Sequence, residues 1–149
     1  MENVSIRSAN EKDIVVILDL LYELGRPKPQ KDSDVKIFEK LVRAYLKDPD
    51  KKILVAEHDT DIVGIVSIMF LSRLNRDLVE MYIPELVVTK SYQNQGVGKK
   101  LVNACIELAK KKKCHRIRLE SGIQRKESHI FYKNLGFEQS ALSFGKDLK

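Results

Sequence analysis

Cysteine is scarce in this chain: Cys105 and Cys114 are its only two. They match no metal-ligand spacing and cannot build a disulfide framework. Two reduced thiols in a cytoplasmic protein is the simplest reading. Long hydrophobic runs are missing too. The longest, Ile62 to Leu71, is interrupted by Gly64 and Ser67 and falls far short of the roughly 20 residues a spanning helix needs. Residues 1–13 are polar and include Glu11 and Asp13, so no secretory signal and no membrane association are expected. No carboxylate–histidine spacing suits a metal, and none is expected. Repeats, low-complexity tracts and long linkers are absent as well. The 149 residues therefore read as one domain, 1–149, of a size that buries roughly 68–70% of its unfolded surface.

Negative charge is outnumbered, at 27 basic against 21 acidic residues and a net charge of +6. Lys99, Lys100 and Lys110 to Lys113 gather along one segment. A basic stripe can serve nucleic-acid backbones, yet no aromatic residues alternate with these lysines and no nucleic-acid motif accompanies them. A solvated helix face with cations at its C-terminal end accounts for most of them. Lys99 or Lys100 is also placed to help hold an anionic ligand.

The most informative segment is Glu85-Leu86-Val87-Val88 followed by a polar turn and Gln93-Asn94-Gln95-Gly96-Val97-Gly98. An apolar strand enters a glycine-containing turn, and a helix with Leu101, Ala104, Cys105 and Leu108 on one face starts at once. The first N–H groups of such a helix lack internal partners and the dipole favours an anion there. Gly96 and Gly98 clear side chains from the path of a phosphate. A Walker loop would need Gly-Lys followed by Ser or Thr, and a dinucleotide fingerprint would need a glycine at position 101, where Leu stands. What remains is Gln-x-x-Gly-x-Gly. It resembles the acyl-coenzyme A signature of the GCN5-related N-acetyltransferases, or GNAT family. Ser128-His129-Ile130-Phe131-Tyr132-Lys133-Asn134-Leu135-Gly136-Phe137 is similar to that family's second signature, in the right order and at about the right distance. Ile6-Arg7-Ser8-Ala9 is a typical family opening, so the resemblance runs over nearly the whole chain.

Periodicity supplies the elements. Ile14, Ile17, Leu18, Leu21 and Leu24 predict a helix ended by Gly25, and a loop follows through Arg26-Pro27-Lys28-Pro29-Gln30. Val35, Phe38, Leu41, Val42 and Tyr45 predict a second helix, stopped at Asp48-Pro49-Asp50. Ile53–Glu57 and Asp61–Phe70 read as a hairpin around His58–Thr60. After a turn at Asn75–Asp77, Leu78–Val88 reads as one strand into the glycine turn. A strand over Arg116–Glu120, the Tyr132 helix and a C-terminal strand or hairpin from Phe137 complete the pattern. This is an α/β chain with a mixed sheet and helices on both faces. The resemblance implies the GNAT version, a mostly antiparallel sheet with two central strands splayed apart. Pro84 cannot donate to a ladder and is consistent with the bulge that the family carries there.

What the resemblance implies about chemistry follows. It is an N-acetyltransferase moving the acetyl group of acetyl-CoA to a primary amine by direct transfer in a ternary complex. Its acceptor would be a small molecule or, alternatively, a protein or peptide amine. A non-catalytic acyl-CoA sensor on the same fold is the rival reading. Glu85 is the candidate for taking the proton from the amine, with Glu80 and Glu120 as alternatives, and Tyr132 the candidate acid near the coenzyme sulfur. Tyr132 can equally be a core aromatic beside Phe131 and Phe137. The N–H of Val87 or Val88 is expected to polarise the thioester carbonyl. Leu86, Val87 and Val88 would run beside the pantetheine arm, and Gln93, Asn94, Gln95, Gly96, Val97, Gly98 and Lys99 would wrap the pyrophosphate. Arg125 stands where many family members have Asn, and Ser128 where a small alanine is usual. Arg125 would meet a phosphate or substrate carboxylate, or face solvent. His129 and Ser128 are neighbours on a helix, about 100° apart, so adjacency does not make them a nucleophilic pair. Homodimers are common among proteins of this kind.

Overall fold

A computed structural model of the chain describes residues 3–149. The chain forms two compact units, one ending at Arg118 and one running Leu119–Lys149.

The first unit is a sheet with helices on each side. Its elements are β1 (Val4–Ser8), α1 (Ile14–Glu23), α2 (Asp32–Lys47), β2 (Lys51–His58), β3 (Asp61–Arg73), β4 (Arg76–Ile83), β5 (Leu86–Val88) and α3 (Val97–Lys111), and β6 (Cys114–Leu119) reaches its boundary. The strand order is β1-β2-β3-β4-β6, with β5 attached to β3 alone. The β1–β2, β2–β3, β3–β4 and β3–β5 ladders are antiparallel.

Alternation along the strands assigns the faces. Ile53, Val55, Ile65 and Val87 share one core cluster with Ile14, Ile17, Leu18 and Leu20 of α1 and Val42 of α2. The intervening residues face α3: a Cβ on Gly64 would lie 3.2 Å from Leu101 and 3.1 Å from the Val87 carbonyl oxygen. Side-chain-free approach at Gly64 thus lets α3 and β5 close on β3.

The strand expected over Leu78–Val88 is two strands. β3 pairs with β5 over Gly64–Val66 and with β4 over Met69–Arg73, and Pro84 and Glu85 fall between β4 and β5. Among the described residues β4 continues the sheet to β6, whereas β5 has no second strand. Its outer edge is open, and the sheet splays there.

The second unit holds α4 (Lys126–Asn134). Gly136 adopts φ +89°, and the N–H groups of Gly136 and Phe137 donate to the carbonyls of Lys133 and Tyr132, each at 3.0 Å. This is a Schellman ending, which needs a residue free of a Cβ penalty at the left-handed position. The strand or hairpin expected from Phe137 does not form. Phe137 is held in the helix cap, and residues 138–149 are exposed and without regular structure. Leu142, Phe144 and Leu148 stand at strand spacing, but all three are exposed and among the described residues no strand pairs with this segment, so the alternation buries no face.

Candidate active site

Backbone pairing with β3 orients β5. Ser67 N–H donates to the Glu85 carbonyl and Thr89 N–H to the Val63 carbonyl, both at 2.9 Å, and Val87 pairs with Ile65 between them. In an antiparallel ladder the paired residues alternate with residues whose N–H and C=O point the other way. Glu85, Val87 and Thr89 are therefore committed to β3, while Leu86 and Val88 present their N–H groups to the open edge. Val87, one of the two expected carbonyl polarisers, has its amide turned into the sheet.

The chain then runs through Thr89 and a short 3-10 turn at Lys90–Tyr92. Glu23 at the end of α1 holds this turn, accepting from Thr89 Oγ1 at 2.9 Å and from Lys90 N–H at 3.3 Å. Gln93 Nε2 donates back to the Val88 carbonyl at 2.9 Å, and Gln95 Nε2 to the Ser91 carbonyl at 3.1 Å. Asn94 and Gly96 both have positive φ, +62° and +85°. Gly96 is the N-cap of α3 and supplies no side-chain cap, so the first amides of a 15-residue helix face outward from an exposed turn. A Cβ on Gly96 would meet nothing within 4 Å; its surroundings are open space. Val97 has its side chain in the core and offers only its backbone to this turn. Gly98 lies in the first turn of α3. Lys99 is exposed, whereas Lys100 Nζ donates to the Val4 carbonyl at 3.3 Å. An open strand edge thus leads directly into an uncapped helix N-terminus.

Glu85 sits at the head of that strand. Its carboxylate accepts a short hydrogen bond from Ser67 Oγ, which in turn accepts from Glu85 N–H at 2.9 Å. Arg26 approaches the carboxylate at 3.4 Å through Nε and donates to the Pro84 carbonyl at 3.2 Å through Nη2. The position of Arg26 comes from the end of α1. Gly25 has φ +99°, and Gly25 and Arg26 N–H donate to the Tyr22 and Leu21 carbonyls, a second Schellman ending. Glu85 borders a cleft of about 170 Å³ walled by Ile17, Leu21, Val42 and Ile65, with Tyr45 and Ser67 also on the lining. Tyr45 Oη donates to the Ile68 carbonyl at 2.8 Å. Burial first, and the Glu85 charge second, push its phenol above the usual tyrosine range, so it stays protonated at neutral pH.

The remaining candidates have surroundings of their own. Glu80 is fully buried and takes Arg73, Arg116 and Arg118 as partners. Burial raises its pKa, but the hydrogen bonds from Arg116 and Arg118 outweigh that and hold the carboxyl at about 2. It is a structural anion, not an available base. In the second unit, Glu120 is exposed and accepts from Ser143 Oγ at 2.8 Å. Tyr132 packs edge-on against Phe131 and Phe137, with centroids 5.2 and 5.7 Å away. Ser128 is half-buried, and exposed Arg125 occupies the N-cap of α4. His129 Nε2 lies 2.8 Å from the Gly122 carbonyl and takes no part in a Ser–His pair. Burial pushes the Cys105 thiol up to about 12 and also raises Cys114, partly offset by Lys112. Neither is a thiolate at neutral pH.

Ser67, Arg26 and Tyr45 are the site residues the sequence did not disclose. Ser67 is 18 residues from Glu85 and Arg26 is 59, and only the β3–β5 register and the α1 cap bring them together. Tyr45 reads in the sequence as one more member of an apolar stripe.

The family model described as the acetyltransferase (GNAT) family matches residues 17–137. The chain is 27% identical over 143 residues to aminoalkylphosphonate N-acetyltransferase of Salmonella typhimurium, a match covering 96% of this chain and 90% of that protein. It is 31% identical over 146 residues to thialysine N-epsilon-acetyltransferase of Bos taurus, covering 91% and 85%. The crystal structure of a transcriptional regulator from Bacillus halodurans C-125 matches with a TM-score of 0.88 and 28% identity, over 97% of this chain and 99% of that one. On the extent of the family match, this chain belongs to the GNAT family of acetyltransferases.

Proposed function

We propose that the chain, as a single acetyltransferase domain, transfers an acetyl group from acetyl-CoA to the primary amine of a small molecule, by direct transfer in a ternary complex. The observation that carries this reading is the open edge of β5 running into the uncapped N-terminus of α3, with a carboxylate at the other end of the same strand. The fit is physical: a polar arm can bond an unpaired strand edge, and a pyrophosphate is stabilised by outward amides and a helix dipole. Leu86 and Val88 would hold the arm, and Gln93 to Gly98 with Lys99 the phosphates. The family implies acetyl-CoA as donor, and it supplies the acetyl group as a thioester. The outward N–H of Leu86 or Val88 stands on the edge where the thioester carbonyl would need a donor.

An aliphatic amine with a pKa of about 10.4 is mostly protonated at neutral pH, so it must lose a proton before it can attack. Glu85 takes that proton, directly or through water. Ser67 and Arg26 hold the carboxylate in one orientation toward the cleft. Tyr132 is assigned the proton returned to the departing thiolate, and its helix is rigidified by the Phe137 cap. Two protonated thiols, one of them deep in the core, favour direct transfer over an acyl-cysteine. The relatives whose names mention aminoalkylphosphonate and thialysine support a small-molecule acceptor.

Thiol release from acetyl-CoA across a panel of amines tests the reading. Saturable turnover with small amines is expected, and Tyr132→Phe should lower kcat by about 10- to 10³-fold with little effect on coenzyme affinity. Coenzyme binding without turnover of any amine would favour a sensor instead.

A further inference from the structure

The cleft beside Glu85 describes the amine that enters it, given the acetyltransferase reading above. Its polar lining consists of Ser67, Tyr45 and Glu85. The two hydroxyls are already engaged within the protein: Ser67 Oγ donates to Glu85 and Tyr45 Oη to the Ile68 carbonyl. That leaves the Glu85 carboxylate, which Arg26 also approaches, as the one charged group among lining residues that are, besides these two hydroxyls, isoleucine, leucine and valine. An ammonium end meets a counter-charge here, while a second polar end would be taken from water without a partner.

The adjoining groove extends the same character. It measures about 210 Å³, shares Leu21, Leu41 and Val42 with the cleft, and adds Phe38, Tyr22 and Pro27. Its one cation, Arg26, is directed at Glu85 and the Pro84 carbonyl. An anionic group drawn to Arg26 would also lie close to the Glu85 carboxylate, 3.4 Å from that guanidinium, and like charge opposes it there. The walled part of the cleft, about 170 Å³, is comparable to an apolar cavity of about 150 Å³ that accepts benzene, so it holds an apolar arm of about six carbons next to the ammonium.

We infer that the acceptor is a primary amine on a short apolar arm, with its ammonium against Glu85 and the arm between α1, α2 and the inner face of β3. Amines bearing a phosphonate, a phosphate or several hydroxyls are poor acceptors. This sets the chain apart from the acceptor in the name of its Salmonella relative, and Leu41, exposed at the mouth and bordering both spaces, becomes a specificity-determining position.

The test is kcat/KM with acetyl-CoA for 2-phenylethylamine and 3-methylbutylamine against 2-aminoethylphosphonate and glucosamine 6-phosphate. The apolar amines should be preferred by at least about tenfold, the scale on which hydrophobic pockets discriminate. Leu41→Lys should reduce that preference by about the same factor while calorimetric binding of acetyl-CoA is unchanged. Equal or better turnover of the phosphonate or the sugar phosphate overturns the inference and leaves the acetyltransferase reading standing. If no amine turns over, titration of 2-phenylethylamine followed by the methyl resonances of Ile17 and Ile65 decides it. Saturable shifts support the cleft as an apolar-amine site, and their absence overturns it.

Discussion

Glu80 and Glu85 lie on one stretch of chain, yet the sheet gives them opposite work. Glu80 is enclosed by three arginines and Glu85 borders a cleft with a serine and a single, half-exposed arginine. The sequence ranked Glu85 ahead of Glu80 only through the family resemblance, because Pro84 interrupts the alternation that would predict which face each one occupies. Replacing Glu85 by Gln keeps shape and removes basicity, so kcat/KM should fall by about 10²- to 10⁴-fold with acetyl-CoA affinity retained. Ser67→Ala should cost less, since Arg26 still orients the carboxylate. A Glu85→Gln enzyme with unchanged kcat/KM across pH would remove Glu85 from the role. Glu80 carries a prediction about stability. Its folded carboxyl titrates at about 2 against an ordinary value of 4.5, so the unfolded chain binds the proton more readily. The stabilisation is complete above about 4.5 and is lost as pH falls from there toward 2. Asp13 adds to the same acid limb: the hydrogen bond from Arg7 lowers its pKa, burial opposes, and the Asn10 N–H assists. Melting temperatures should fall steeply below about pH 4.5. Glu80→Gln should shallow that fall while lowering stability at pH 7 by roughly 3 kcal/mol, the low end for breaking a buried pair because the arginines are partly exposed. An unchanged acid limb in the variant would locate the titration elsewhere.

At the scale of elements, glycines with positive φ set where the functional pieces stop and turn. Gly25 ends α1 and delivers Arg26, Gly96 opens α3, and Gly136 ends α4 beside Tyr132. A Cβ in the left-handed region costs about 1–2 kcal/mol, so Gly136→Ala should lower stability by about that much and Gly136→Asn by less. Gly96→Ala meets no clash, so its expected effect is strain in the turn: a KM for acetyl-CoA raised several-fold and kcat little changed. An unaltered KM would separate this turn from the coenzyme. These turns, and the helices they bound, were legible because a 3.6-residue period and a terminal glycine are local signals. β1 carries no local strand signal, since Val4 to Ser8 is short and gains its structure only from pairing with β2. The break between β4 and β5 was half visible. Pro84 announced an irregularity, but the switch of β3 from one partner to the other depends on register, which sequence does not carry. The strand expected after Phe137 fails for the converse reason: Leu142, Phe144 and Leu148 have strand spacing, but no neighbouring strand covers them.

If the proposed function holds, the molecule as a whole favours the coenzyme over the amine before either is bound. A net charge of +6 attracts an anionic coenzyme and repels a cationic amine at distances up to the Debye length, about 10 Å at 0.1 M salt. Local structure then acts in opposite ways at the two ends of β5. At the α3 turn, Lys99 and the helix amides add to the general attraction. At the cleft, Glu85 counters the general repulsion. Salt screens the long-range part and leaves the short-range contacts largely intact. Raising NaCl from about 0.05 to about 0.5 M should therefore increase KM for acetyl-CoA several-fold while KM for the amine stays level or falls. Lys99→Gln should flatten the coenzyme's dependence and leave the amine's alone, because that side chain is exposed beside the phosphate turn and Lys100 is already engaged with β1. The family and the glycine turn into α3 were readable in local motifs, but this asymmetry needed the positions of the charges. If both KM values rise together, the basic surface acts without regard to substrate. The division of labour between an anion-holding turn and an ammonium-holding carboxylate would then be lost.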